Sequence, residues 1–231
     1  MYLGDPYLAA NVEATRVLIT GGPVEGIELD YYRRLHQTTA VLNPCHEDNY
    51  YVANAFLAWA GSVDGANSVL RGATTCRFWD EFPPFYLGFN YYFFRRQHHA
   101  AKDMMFVAAA RATDNRLAYE RIGLMFEADS FPDAHVAQKY LISQRDQSQD
   151  QKLKKALDAR IKRLDALIVL LDAQADFEKR FKRPLAAPDE LIRYGLLKQY
   201  PTDPVGLGFV FENGRFALRE LKVRGVEEPH Q

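Results

Sequence analysis

Two cysteines and a few histidines are the residues whose types could do chemistry in this chain. Cys45 is followed directly by His46, a pairing that would suit a thiol nucleophile beside a base. No Asn or Asp constellation is marked out around it. His98–His99 invites a metal reading, but neighbours in sequence point in different directions on a helix. No second cluster of His, Cys or carboxylate stands at a ligand spacing such as His-x-x-x-His. A metal- or thiol-dependent enzyme using Cys45, His46, His98 and His99 is therefore the alternative reading. Arg95–Arg96, Lys102 and the Lys154–Arg163 run could contact phosphate, yet the acids interspersed among them make solvated helix faces the better account. No Gly-rich phosphate loop, nucleophile elbow or paired-carboxylate motif is present. The sequence thus leads to no catalytic residue, no cofactor and no metal. Asp203, between Thr202 and Pro204, is read as a turn-stabilising acid before a calcium ligand.

Composition narrows the class further. The chain has 231 residues, 48% hydrophobic and 26% charged, enough for a substantial core. A formal net charge of −1 gives no global basic field for nucleic acid. No apolar run approaches the ~20 residues needed to span a bilayer. The first twenty residues carry an early acid and no basic start, so they do not read as a signal peptide. Cys45 and Cys76 fall in loops on one edge of the expected helical array. Two free thiols or one bridge are both open, and a bridge would imply an oxidising compartment.

The elements expected to position these residues are almost all helices. Asp5–Pro6 starts the first, which Gly21–Gly22–Pro23 stops. Further helices are expected over about 28–42, 47–60, 64–75, 85–94, 98–112, 115–128 and 132–145. From Ser148 the sequence is free of Gly and Pro up to Pro184, a long amphipathic helix with Ile161, Leu164, Ile168, Leu171 and Ala175 in its stripe. A short helix opening at Ala187–Pro188–Asp189–Glu190 follows. Asn213–Gly214 then predicts a type I′ hairpin within GFVFENGRFAL, with frayed residues after Val223.

Ala66, Ala100 and Ala134 stand 34 residues apart. Leu57, Tyr91 and Met125 share a large apolar slot, and Ala73, Val107 and Leu141 a smaller one. With Gly88 and the Ala108–Ala110 run, this pattern resembles the tetratricopeptide repeat (TPR) family over about residues 5–144. The resemblance implies an all-α solenoid of helical hairpins and a protein-binding scaffold. The expected domains are 1–146 for the repeats, 147–183 for a long capping helix, and 184–231 for a helix plus β-hairpin tail. In a TPR-like stack the first helix of each pair lines a concave groove. That register puts Tyr51, Trp59, Phe85, Phe89, Tyr92, Tyr119 and Phe126, with Phe93 beside them, on or near the groove as partner-binding residues.

The layout also resembles an uncharacterised group of bacterial TPR proteins, often exported or membrane-tethered. That likeness implies a subunit of a multi-protein assembly, periplasmic or membrane-associated through a partner or an anchor missing from this chain. The segment YGLLKQYPTDPVGLGFVFENGRFAL is similar to the C-terminal segment of type II secretion pseudopilins. Tyr200 replaces the usual Leu there, and the long apolar N-terminal helix of those proteins is missing, so only the tail shares the likeness.

Overall fold

A computed structural model describes residues 4–20 and 27–219. The expected stop at Gly21–Gly22–Pro23 and the expected fraying after Val223 lie outside them. Ten α-helices and one two-stranded sheet make up the described chain, which is all-α in class. It divides into two compact units, with the boundary between Glu127 and Ala128.

In the first unit, α1 (Pro6–Thr20) starts where the sequence predicts, because the Asp5 carboxylate accepts from the N–H groups of Tyr7 and Leu8 at 2.8 and 3.2 Å. It packs on α2 (Ile27–Leu42). The next helix departs from expectation: α3 (Glu47–Ala53) passes into a π-helical turn, Asn54–Ala58, before α4 (Val63–Cys76). Ser62 N–H reaches back to the Leu57 carbonyl at 2.7 Å and closes that turn. Next, α5 (Phe82–Phe93) begins at Phe82 rather than Phe85. Its prolines, Pro83 and Pro84, occupy the first turn, where a missing N–H costs nothing. The last two helices of this unit's sequence are α6 (His98–Arg111) and α7 (Arg116–Ala128).

Two devices hold α4, α5 and α6 together. Asn90, buried, donates from Nδ2 to the side-chain oxygens of Asn54 and Asn67, both at 2.9 Å, and so joins the π turn, α4 and α5. Gly88 brings α5 against α6. A Cβ there would lie 3.0 Å from the Ala101 carbonyl oxygen and 3.1 Å from Met105. The burial pattern loosens the strict 34-residue step. Ala66 is fully buried, whereas Ala100 and Ala134 are half-buried, and Ala101 and Ala137 take the buried places.

In the second unit, α8 (Ala134–Gln147) packs along α9 (Gln151–Phe181), capped by Asp150. Leu157, Ile161, Leu164 and Ile168 form its buried stripe. A left-handed Lys182 (φ 55°) ends it. Short α10 (Glu190–Arg193) and the hairpin β1 (Phe209–Glu212)–β2 (Arg215–Leu218) also pack on α9. Asn213 and Gly214 both have positive φ, 52° and 75°, as a type I′ turn requires. The strands pair from Phe209↔Leu218 to Glu212↔Arg215. Arg163 on α9 is buried and donates to Asp203 at 3.0 Å and to the Arg219 carbonyl at 2.6 Å. The same carboxylate accepts from the N–H groups of Val205 and Gly208, which makes Asp203 a turn brace paired to a cation.

The close approach at Gly88 leads to a direct test. Gly88→Val should lower stability by about 1–3 kcal/mol through overpacking against α6. The urea midpoint should fall while helix content in dilute buffer stays as it was.

Candidate functional site

The rings expected to line a groove are partly packed against one another. Tyr51 on α3 meets Tyr86 on α5 edge-on, with centroids 5.6 Å apart. Tyr86 contacts Phe85, and Phe85 reaches Tyr119 on α7 at 5.2 Å. A second contact runs from Trp59, just past the π turn, to Phe93 and Phe94 on α5. Phe89 stacks on Phe93 within the same helix. Tyr92 stacks on Phe126 of α7 at 3.8 Å. All seven expected residues therefore join the α3–π segment, α5 and α7, but in three ring groups. Tyr119 is buried, Tyr51, Phe85, Phe89, Tyr92 and Phe126 are half-buried, and Trp59 is 48% exposed. Burial and the Glu81 carboxylate, which accepts from the Tyr119 hydroxyl at 3.0 Å, push that phenol up to about 12.

The residues of the alternative, enzymatic reading go elsewhere. Cys45 and Cys76 form a disulfide with Cα atoms 5.3 Å apart, so Cys45 offers no free thiolate. His46 caps α3 by accepting from the Asn49 N–H at 3.3 Å. His98 Nδ1 donates to the Phe126 carbonyl at 3.0 Å, and exposed His99 pairs with Glu127 at 2.9 Å. Among the described residues no group of three or more His, Cys, Asp or Glu is placed to hold a metal ion. None of their helices is long and apolar enough to cross a membrane.

The bridge sits beside a network that sequence reasoning missed. Asp80, in the α4–α5 connection, accepts from the Phe82 N–H at 3.0 Å, from Arg77 Nε at 2.8 Å and from the Tyr50 hydroxyl at 2.8 Å. Arg77 also donates to the Cys45 carbonyl at 3.2 Å and to Glu47 at 2.9 Å. From α6, Arg111 donates to the carbonyls of Thr74, Arg77 and Asp80 at 3.0 to 3.2 Å. Burial would raise the Asp80 carboxyl, but the three donors outweigh it and hold the group below the usual carboxylate range. Burial first, then the Asp80 charge, pushes the Tyr50 phenol far up. A second buried link joins α2 to α3, where His36 Nδ1 donates to Asn49 Oδ1 at 2.8 Å and Asn49 returns a bond to the His36 carbonyl. Burial holds the His36 imidazole below its ordinary pKa, against the smaller opposing pull of Asn49.

Outward from this braced connection stand Phe78 and Trp79, 71% and 57% exposed, edge to face at 5.0 Å. Their adjacency in the sequence was the only signal, and the helical register gave it no place. Compared with known proteins, the chain matches no family model, no curated protein and no solved structure.

Two predictions follow from the connection. Because the Asp80 pKa is depressed in the fold, its stabilisation is present above the unfolded carboxyl range and is lost as pH falls through the folded value. The melting-temperature gap between the parent and Asp80→Asn should therefore be open near neutrality and close below about pH 4. The disulfide closes a separation of 31 residues. Replacing both cysteines by serine should cost about 3–4 kcal/mol by the loop-entropy account, measured by chemical denaturation.

Proposed function

We propose that this chain is a TPR-like, non-enzymatic scaffold or accessory subunit that binds a protein partner through the aromatic face of its first-in-pair helices. The observation that carries this reading is the set of ring contacts linking the α3–π segment to α5 and α5 to α7, with Trp59 left half open to solvent. Rings held in position offer large contact area at little entropic cost on binding. The successive helix pairs α1–α2, α3–α4 and α5–α6 also agree with a hairpin repeat. The Cys45–Cys76 bridge supports an oxidising home such as the periplasm, reached as part of a larger bacterial assembly, with any membrane attachment supplied by a partner or by an anchor outside this chain.

Recovery of the protein from its native source together with its partners, followed by crosslink mapping, tests the reading. Trp59→Ala should cut partner recovery by ~30-fold, the equivalent of a hot-spot loss of about 2 kcal/mol, with circular dichroism unchanged. Undiminished recovery, or turnover of a small substrate by the purified chain, would overturn it.

A further inference from the structure

The Arg77–Phe82 connection shows a second, separate surface. Its backbone is held on several sides. The Asp80 N–H bonds the Arg77 carbonyl at 3.0 Å, Arg111 holds both carbonyls from α6, and the disulfide anchors the preceding Cys76. Yet this fixed loop presents two large rings to water at Phe78 and Trp79. Exposed apolar area on a rigid support loses little entropy when a partner covers it, which is the usual physical basis of a binding hot spot.

Beside Trp79 lies an open cleft of about 410 Å³ that runs to the α6–α7 loop. Four carboxylates line it, from Glu47, Asp80, Glu81 and Asp114, against two guanidinium groups, from Arg77 and Arg111. Arg77 is consumed by Glu47 and Asp80, and Arg111 by backbone carbonyls. Asp114 has no partner among the described residues, and the Glu47 side chain is 56% exposed. The cleft therefore offers uncompensated negative charge next to an aromatic wall.

We propose that the Phe78–Trp79 loop and this cleft dock a basic, apolar stretch of a partner polypeptide, with aliphatic side chains on the two rings and a Lys or Arg directed to Asp114 and Glu47. The proposal rests on the protein-binding reading above but moves the contact to a surface that reading does not use. A cation beside both carboxylates is favoured by charge, while the Arg77 guanidinium already lies over the Trp79 ring at 5.6 Å and leaves the exposed remainder of the two rings to aliphatic contacts.

The full chain labelled with fluorotryptophan gives the test, since it holds two tryptophans, Trp59 and Trp79. Their fluorine resonances are assigned with Trp79→Phe. The probes are a short alternating Lys–Leu peptide, its Glu–Leu counterpart, and vesicles of mixed phosphatidylcholine and phosphatidylglycerol. The Lys–Leu peptide should shift the Trp79 signal saturably and leave Trp59 in place. Phe78→Ala should weaken that response by ~30-fold. Asp114→Asn combined with Glu47→Gln should weaken it several-fold without loss of helix signal. An equal response to the Glu–Leu peptide, or a response to vesicles alone, overturns the proposal. So does a shift confined to Trp59, which leaves the protein-binding reading standing. No shift at either ring overturns the proposal too, and partner recovery with Trp59→Ala then judges the broader reading independently.

Discussion

A single buried carboxylate sets the geometry of the first unit's outer edge. Asp80 faces a hydroxyl from α3, a guanidinium from its own connection and the first free N–H of α5. Each partner alone would be a modest hydrogen bond, but a buried charge must be satisfied completely or it costs several kcal/mol. That condition ties Tyr50 of α3 to the start of α5. It also fixes the path of the chain between α4 and α5, which Arg111 then ties to the end of α6. The disulfide adds a covalent limit at the same place. Polar satisfaction and cross-linking therefore act on one short segment, the one on which Phe78 and Trp79 stand exposed.

The interior of the same unit is organised by a different rule. Close helix approach needs small residues, and Gly88 against Ala101 supplies it between α5 and α6. Gly123 does the same for α7, where a Cβ would come within 3.1 Å of Met105 and Phe106. Polar specificity comes from Asn90 and its two partners, half-buried Asn54 and buried Asn67, with both amide hydrogens of Asn90 used. The aromatic residues fill the remaining width, and this is why several rings expected at a groove also pack between neighbouring helices.

Much of the helical layout was legible because its signals are local. Asp5–Pro6 and Asn213–Gly214 each carry their own start or turn chemistry, and the structure uses both. The expected start of α5 near residue 85 falls one turn late, because Pro83–Pro84 belong to its first turn rather than preceding it. The π turn at Asn54–Ala58 escaped because a 3.6-residue template has no place for an inserted residue. The 34-residue step points to Ala100, yet the buried place belongs to Ala101. The Asp80 network was out of reach for another reason: its partners at Tyr50 and Arg111 lie some thirty residues away on either side, and nothing in either sequence neighbourhood marks them as paired. Candidate ring residues could be named from periodicity, but which of them remain open to solvent depends on packing that no period encodes.

Arg163 has a consequence for the order in which the second unit takes shape. Its partners, Asp203 and the Gly208 and Arg219 carbonyls, follow it by 40 to 56 residues. During synthesis α9 leaves the ribosome well before any of them and can wind up with the guanidinium still hydrated. The turn and hairpin cannot close on α9 until the chain has been made nearly to its last described residue. High sequence separation of this kind makes closure late and slow relative to helix formation. Only the part of α9 that meets the hairpin and α10 is thus left open until the tail is made, because α8, made earlier, can already pack along the helix.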